Sequence, residues 1–366
     1  MAALSVPLAK PKPDIERMVA VIMGERPADP PPLVEYIIDD VHLEALTRRL
    51  GRTWVPPADP GLIKDGRSAE AYLDNFIECW YRLGYDYVRI ERGAGFTVAS
   101  ETAEDETRQD QHRGWVDTER GLISSWEDFE RYPWPTVTDE KLADIAYVND
   151  HLPEGMGLIS SHAANQYEHL SFIMGYENLC IQLYEQPDLV QAVADRIGGI
   201  LEEFYQRLVQ FENLAVVWPG DDMGFKTATL VRPEQLRQYV LPHHKRFAEI
   251  AHGAGKPYFL HSCGHVFSVM EDLIEDVKID AKHSFENAIL PVAEFQKRYG
   301  DRIGVLGGVD VDVLTARSAD EIRKETRRLI DTCGPRGRYA IGSGNSIPSY
   351  VPLDHYLTML DEALKR

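Results

Sequence analysis

The chain has 366 residues, of which 44% are hydrophobic and 27% are charged, so it can bury a substantial core and does not belong to the disordered class. Its 59 Asp and Glu residues against 39 Lys and Arg give a formal net charge of −20. A surface of this sign repels nucleic acid and anionic membranes, and we exclude both as partners. The first residues lack the apolar core of a signal peptide, and no stretch approaches the roughly 20 apolar residues of a membrane span. We therefore expect a cytoplasmic protein.

The four cysteines, Cys79, Cys180, Cys263 and Cys333, are widely separated and form no Cys-x-x-Cys pair. This spacing excludes a disulfide framework and a closed four-thiolate zinc site. A metal site in this chain would have to use other residue types as well.

The chain divides into a proline-rich beginning and a longer, regularly patterned remainder. We interpret residues 1–65 as an N-terminal arm with one or two helices, because proline interrupts long periodic elements there. From 66 to 366, short apolar runs alternate with helical patterns, which is typical of parallel α/β architecture. The apolar runs predict strands at 85–91, 157–161, 214–219, 257–261, 279–283, 303–306 and 339–341. Helical periodicity predicts helices at 68–83, 171–184, 187–211, 233–253, 266–275, 292–299, 318–332 and 352–365.

Seven strands are predicted, and an eighth could lie in the acidic stretch 97–117. This count favours one (β/α)₈ barrel of the TIM type over an open, doubly wound sheet. The chain has no glycine-rich fingerprint after its first strand and no GxxxxGK[ST] motif, so we do not expect a nucleotide site of the usual kinds.

The most informative segment is His261-Ser262-Cys263-Gly264-His265, which ends an apolar run typical of a buried parallel strand. On a strand, His261 and Cys263 project to the same face, about 7 Å apart along the chain. Imidazole and thiolate together suit Zn²⁺. The alternative is a buried histidine and a free cysteine that only pack.

Polar side chains follow nearly every predicted strand. In a barrel these strand ends open on one face, where active sites lie. Ser343 and Asn345 belong to a glycine-rich loop whose backbone donors suit a carboxylate or phosphate. The other candidates are Arg89, Glu91, Arg92, Ser161, His162, Asp221, Asp222, His283, Glu286 and Asp310. Their convergence predicts a metal or catalytic centre near His261.

Several of these residues have structural alternatives. Asp221 and Asp222 could be N-cap or turn carboxylates, and His162 could cap the next helix. His283 could either ligate a metal or make an orienting hydrogen bond. Asp310 could face a ligand or brace its own turn.

Five segments together resemble the uroporphyrinogen decarboxylase superfamily, and the likeness runs from about residue 68 to the C-terminus. Within it they are similar to the branch of zinc-dependent, cobalamin-linked methyltransferases that act on methanol, methylamines and aryl methyl ethers. The segments are Gly220-Asp-Asp-Met-Gly224, the helix beginning Val231-Arg-Pro-Glu-Gln-Leu236, His261-Ser-Cys-Gly264, Ile303-Gly-Val-Leu-Gly-Gly-Val-Asp310 and Tyr339-Ala-Ile-Gly-Ser-Gly-Asn-Ser-Ile-Pro348.

The resemblance implies a (β/α)₈ barrel with a pocket at its C-terminal mouth and a zinc ion bound by a His-x-Cys pair and a distant cysteine. His261 and Cys263 match the pair, but the chain has no cysteine where the distant ligand is expected, around Gly344-Asn345-Ser346. His283 is our first choice for the third ligand, with Glu286, Asp222 or His162 as alternatives. The Arg-Gln-Ala-Gly-Arg motif of true uroporphyrinogen decarboxylases is absent, which disfavours porphyrinogen decarboxylation.

The leading hypothesis is therefore a methyltransferase in which zinc assists methyl transfer or O-demethylation of a small methylated substrate. Asp222 and Glu286 are candidates for protonating or orienting the leaving oxygen, and Arg89 or Arg92 could anchor an anionic tail. A separate corrinoid protein would supply the cobalamin, since the chain has no Asp-x-His-x-x-Gly motif. The alternatives are a metal-free decarboxylase of a carboxylated substrate and, less favoured, a non-catalytic tetrapyrrole- or corrinoid-binding protein.

Overall fold

The computed structural model describes residues 4–58, 67–104, 112–116 and 121–365. It has an α/β fold with parallel sheets. The strands are β1 (Tyr87–Arg92), β2 (Ser100–Glu104), β3 (His112–Val116), β4 (Gly157–His162), β5 (Leu214–Val217), β6 (Phe259–His261), β7 (Ala281–His283), β8 (Gly304–Leu306) and β9 (Tyr339–Ala340). All seven predicted strands are present, with ends shifted by one or two residues.

The helices follow the strands in the predicted alternation. They are α1 (Ile15–Ile22), α2 (Asp40–Arg49), α3 (Glu70–Leu83), α4 (Trp126–Arg131), α5 (Ala143–Asp150), α6 (Gln166–Met174), α7 (Tyr176–Glu185), α8 (Pro187–Leu208), α9 (Pro233–Tyr239), α10 (Leu241–Gly253), α11 (Met270–Asp272), α12 (Val292–Tyr299), α13 (Val311–Ala316), α14 (Ala319–Cys333) and α15 (Leu353–Ala363). No helix within these described residues is both long and apolar enough to span a membrane.

Two predicted helices are each divided in two. The helix predicted at 171–184 lies across the boundary between α6 and α7, where Gly175 has a φ of 73°, a value that glycine adopts without steric cost. The helix predicted at 233–253 is interrupted between Tyr239 and Leu241, because Pro242 has no backbone N–H and is tolerated only in the first turn of a new helix. Periodicity alone does not detect such breaks when the apolar face continues across them.

The strands form two parallel sheets that meet at one junction. One sheet has the order β1-β4-β5 and the other β6-β7-β8-β9, and all pairs are parallel. Parallel bridges join Val217 to Tyr258 and Gly220 to His261, so β5 lies beside β6. The carboxyl ends of β5 and β6, which carry Asp222 and His261, are therefore neighbours.

An eighth parallel segment comes from residues 33–38, which belong to the predicted arm. Leu33 pairs with Ile341 and Ile38 with Ile347, both in parallel. The Tyr87 hydroxyl donates to the Glu35 carbonyl and accepts from the Glu35 N–H, each at 2.6 Å, which links the segment to β1. The stretch 97–117, where we expected the eighth strand, instead holds the antiparallel pair β2-β3, with part of the stretch outside the described residues. The domain boundary at residue 65 remains a prediction.

Candidate metal centre

Three donor atoms converge at the junction of the two sheets. Nε2 of His261 lies 3.3 Å from Sγ of Cys263 and 3.7 Å from Oδ1 of Asp222. Ligand atoms of all three residues lie within 4.8 Å of one another. His261 ends β6, Cys263 lies two residues further on, and Asp222 lies in the loop after β5. The Cys263 N–H donates to Oδ1 of Asp222 at 2.8 Å, which holds the two loops together.

The spacing and chemistry of these atoms fit a zinc ion. A tetrahedral ion with bonds of about 2.0 to 2.3 Å separates its ligand atoms by about 3.3 to 3.8 Å, and the two distances from Nε2 of His261 lie in this range. Imidazole nitrogen, thiolate sulfur and carboxylate oxygen are all zinc ligands in proteins. We call Asp222, His261 and Cys263 the trio. The His261 side chain is 6% exposed and that of Asp222 is 43% exposed, so the trio is open to solvent on the Asp222 side. A substrate could approach from there.

His283 contacts His261 rather than joining the trio. The two Nδ1 atoms are 2.8 Å apart, and Nε2 of His283 is buried without a hydrogen-bond partner in the described part of the chain. Burial, followed by the charge of Lys282, lowers the pKa of His283 to about 3, so its ring is neutral. Of the two roles left open for His283, the geometry favours the orienting hydrogen bond over metal ligation, and Asp222 over His283 as the third ligand.

The sulfur of Cys263 is surrounded by hydrogen-bond donors. Nδ2 of Asn345 donates to Sγ at 3.2 Å and the Ser284 hydroxyl at 3.4 Å. The Ser346 N–H donates to Oδ1 of Asn345 at 2.9 Å, which assigns the amide orientation and directs Nδ2 at the sulfur. Thus Asn345, in the loop where the resemblance placed a distant cysteine, approaches the sulfur as a donor.

Ionisation at the trio depends on its burial. Burial raises the pKa of the Cys263 thiol well above its usual value, and the charge of Asp222 adds to this effect. Burial also lowers the pKa of His261 well below its ordinary value, with His283 contributing, so the imidazole is neutral and can act as a ligand. A divalent cation would offset the cost of a buried thiolate beside a carboxylate.

Lys282 is buried next to the trio, and the sequence reasoning missed it. Its Nζ donates to the carbonyl oxygens of Ser284 at 2.7 Å, His283 at 3.0 Å and Ser262 at 3.4 Å. Burial lowers its pKa to about 8. The ammonium joins the loops after β6 and β7 and holds Ser284 at a φ of 83°, a strained value for a non-glycine residue.

The two arginines predicted to anchor a substrate are engaged inside the protein. Arg89 pairs with Glu91 at 2.8 Å and Arg92 with Asp144 at 2.7 Å, and all four side chains are buried. Both guanidinium groups therefore support the sheet. Their role in substrate binding remains a prediction that this arrangement does not favour.

The remaining candidates make mostly structural contacts. His162 is fully buried, and its Nε2 accepts from the Ala94 N–H at 2.7 Å. Asp310 caps α13 by accepting from the Asp312 N–H at 2.9 Å, and the Ser343 hydroxyl donates to Glu35 at 2.7 Å. Glu286 is exposed.

Asp221 caps the distant helix α6 from the loop after β5, and is not the N-cap of a helix that begins beside it. Its carboxylate accepts from the N–H groups of Tyr167 and Glu168 in the first turn of α6, each at 2.9 Å, and contacts Nε2 of His244 at 2.7 Å. His244 is fully buried and also contacts the Tyr258 hydroxyl, so it packs in a polar network behind Asp222.

The chain matches one protein family over most of its length. The model of the family described as Uroporphyrinogen decarboxylase (URO-D) matches residues 78–365. No curated protein matches the chain at a significant level.

The solved structures give a likeness of fold. A methyltransferase from Methanosarcina mazei is 15% identical with a TM-score of 0.67, covering 96% of this chain and 98% of its own. A B12-independent methionine synthase from Shewanella is 12% identical with a TM-score of 0.48, covering 80% of this chain and 85% of its own. At this identity the Methanosarcina protein indicates a common fold over nearly the whole of both chains.

Proposed function

This chain belongs to the uroporphyrinogen decarboxylase family, and we propose that it is a zinc-dependent methyltransferase acting on a small methylated substrate together with a separate corrinoid protein. The proposal depends on one observation: donor atoms of Asp222, His261 and Cys263 lie within 4.8 Å of one another where the two sheets meet. The methyltransferase from Methanosarcina mazei, with its TM-score of 0.67, supports this type of activity on this fold. We also propose that the eight parallel segments close into a (β/α)₈ barrel.

In this proposal His261, Cys263 and Asp222 hold the ion and leave one side open to the substrate. A bound zinc ion supplies Lewis acidity towards a substrate oxygen or sulfur. His261 ligates through Nε2, so its proton is on Nδ1 and is donated to Nδ1 of His283, which fixes the imidazole tautomer and the direction of the ring. Asn345 and Ser284 donate to the sulfur and stabilise its thiolate form.

The Cys263 thiolate and the Asp222 carboxylate together carry two negative charges, which a bound zinc ion would neutralise. Before an ion binds, the buried ammonium of Lys282 offsets part of this charge. Glu286 lies in the loop after β7. Partial desolvation of its carboxyl, followed by the charge of Asp310, raises its pKa, and we propose it as the group that protonates a leaving oxygen. Corrinoid supply remains the task of a partner protein.

Metal analysis of the purified protein and of cysteine variants tests the proposal. We expect close to one zinc per chain in the wild type and much less in Cys263→Ser. Cys180→Ser is the matched control, because Cys180 is a partly exposed thiol on α7, away from the trio.

An activity assay provides the second test. Transfer of a methyl group from a panel of methyl ethers, methanol and methylamines to free cobalamin, kept in the cob(I)alamin state by an added reductant so that methylcob(III)alamin can form, is followed by absorbance. It should disappear on chelation and return with zinc. A wild type without stoichiometric zinc, or one fully active after chelation, would refute the proposal. A metal-free decarboxylase would keep its activity in Cys263→Ser.

A further inference from the structure

We propose that the dipeptide Glu35-Tyr36, in the eighth parallel segment, positions the two members of the trio that lie at the carboxyl end of β6. Tyr36 orients the His261 ring, and Glu35 orients Asn345, which donates a hydrogen bond to Cys263. The inference rests on the proposed function, because it concerns how these side chains are held for an ion. It assigns a role in the site to a segment that the sequence placed in an N-terminal arm.

Tyr36 stacks directly on the His261 ring. The ring centroids are 4.1 Å apart and the planes differ by 16°. The Arg89 guanidinium carbon lies 3.5 Å from the centroid of the same tyrosine ring, and two groups so close to one ring must occupy its opposite faces. The result is an ordered stack of guanidinium, phenol and imidazole.

Arg89 is itself fixed, so the stack has a rigid base. Its guanidinium donates to the carbonyl of Tyr36 at 3.0 Å and to that of Trp218 at 3.1 Å, in addition to pairing with Glu91. A cation over an aromatic face is attracted by the ring quadrupole, which holds the phenol in place. The Tyr36 ring then limits rotation of the His261 imidazole about its Cβ–Cγ bond.

The stack and the hydrogen bond that His261 donates to His283 constrain different motions of His261. The hydrogen bond at Nδ1 fixes which nitrogen faces the trio, and the stacked face fixes the plane of the ring. Because β6 has only three residues, Phe259–His261, backbone pairing alone gives this side chain little support. The Tyr36 ring supplies the missing support from another segment.

Glu35 reaches the sulfur through two residues. Its carboxylate accepts from the Ser343 hydroxyl at 2.7 Å and from the Tyr36 N–H at 3.1 Å. The same hydroxyl oxygen accepts from the Asn345 N–H at 3.3 Å and lies 2.8 Å from the Asn345 carbonyl. Asn345 then donates to Sγ of Cys263. Two adjacent residues of one segment thus act on two members of the trio: Tyr36 on His261 directly, and Glu35 on Cys263 through Ser343 and Asn345.

Substitutions of Tyr36 separate the ring face from the hydroxyl group. We measure zinc affinity by competition with a chromophoric chelator in Tyr36→Leu, Tyr36→Phe and the wild type. Loss of a residue that orients a metal ligand costs about 10- to 100-fold in affinity, and we expect this loss in Tyr36→Leu. Tyr36→Phe keeps the stacked face and should stay within about twofold of the wild type.

Tyr147→Leu is the matched control. Tyr147 stacks on His151 with centroids 3.9 Å apart and planes 13° apart, in α5 and the residue after it, so the variant removes the same kind of stack elsewhere in the fold. Its zinc affinity should equal that of the wild type.

Glu35→Ala should weaken zinc binding, whereas Glu35→Gln, which keeps an acceptor for the Ser343 hydroxyl, should not. Circular dichroism verifies that each variant is folded.

The outcomes distinguish the inference from the function on which it rests. Equal zinc affinity in Tyr36→Leu and the wild type overturns the inference and leaves the proposed function standing, and so does an equal loss in Tyr36→Phe and Tyr36→Leu. A wild type that binds no zinc overturns the proposed function itself. If Tyr36→Leu does not fold, the Glu35→Ala and Glu35→Gln pair decides: equal affinities in these two variants overturn the inference.

Discussion

Asp222 reaches the trio from the loop after β5, whereas His261 and Cys263 come from β6 and the residues that follow it. Its carboxylate would take the place of the distant thiolate expected from the resemblance, with the same formal charge but a harder donor atom. Hard oxygen ligands favour different metals from soft sulfur ligands. The identity of residue 222 should therefore influence both affinity and metal preference.

Asp222→Asn and Asp222→Cys test this influence. Asp222→Asn keeps the shape of the side chain but removes its charge. Zinc affinity should fall by at least about tenfold, the loss that follows when a residue hydrogen-bonded to a metal ligand is removed. Asp222→Cys should raise cadmium affinity relative to zinc, because a second thiolate is a softer ligand. Competition titrations with both metals provide the measurement. Asp195→Asn, at an exposed position on α8, is the control, and undiminished zinc binding in Asp222→Asn would exclude this residue as a ligand.

Glu35 makes the unfolding free energy depend on pH. Burial raises its pKa from 4.5 to about 8, so between these values the folded state holds a proton that the unfolded chain has lost. The contribution of this carboxyl to stability is fully present below pH 4.5 and is lost as the pH rises through 8.

Glu35→Gln is uncharged throughout and should not show this loss. Between about pH 5 and pH 8 its unfolding free energy should rise relative to the wild type by more than about 1 kcal/mol, since each unit of pKa corresponds to about 1.4 kcal/mol. Urea unfolding at both pH values measures the difference, and Glu44→Gln, at a position that is not buried, should show none. Parallel pH profiles for Glu35→Gln and the wild type would mean that Glu35 ionises normally in the fold.

At the scale of elements, the eighth segment is held against β9 by close backbone contact. A Cβ on Gly342 would lie 1.7 Å from the carbonyl oxygen of Val34. The pairing of Leu33 with Ile341 and of Ile38 with Ile347 needs this approach. Any side chain at 342 must push the two segments apart.

Two glycine-to-alanine substitutions should therefore change the free energy of unfolding in opposite directions. Gly342→Ala should destabilise the protein by about 1–3 kcal/mol or more, because the added methyl group has no space. Gly199→Ala, in the middle of α8 where a Cβ would meet nothing within 4 Å, should stabilise it by about 0.5–1 kcal/mol. Thermal unfolding of both variants provides the comparison. A neutral Gly342→Ala would show that the segment and β9 separate easily.

Strand prediction succeeded where apolar runs are buried on both faces, as in β1, where all six residues are buried. It failed for residues 33–38, which prolines precede in the sequence. This segment pairs with the chain around β9 only through two isolated bridges, at Leu33 and at Ile38, so it lacks the continuous pattern of a longer strand. The His-x-Cys pattern predicted two members of the trio, although β6 ends at His261 and a loop brings Cys263 close. Tyr36 gave no signal, since its role depends on which distant ring it meets. Lys282 was missed because a buried lysine that donates to carbonyls has no sequence pattern.

At the scale of the whole molecule, the trio spans the junction between the two sheets. Asp222 follows β5, the last strand of the β1-β4-β5 sheet. His261 ends β6, the first strand of the β6-β7-β8-β9 sheet, and Cys263 follows it. The junction itself has the two bridges Val217–Tyr258 and Gly220–His261 in place of a longer ladder. An ion held by all three residues would connect the sheets at the point where their backbone pairing is short.

Zinc should therefore stabilise the whole fold and protect the junction in particular. Free zinc at 100 times its Kd adds about 2.7 kcal/mol to the unfolding free energy if the unfolded chain does not bind it, so the Tm should rise with zinc and fall with chelator. Hydrogen exchange should slow at the N–H groups of Val217, Asp221 and His261, which bond across the junction. Cys263→Ser should abolish both effects, and Cys180→Ser should keep them. If zinc raises the Tm equally in Cys263→Ser, the ion binds elsewhere and the trio does not connect the two sheets.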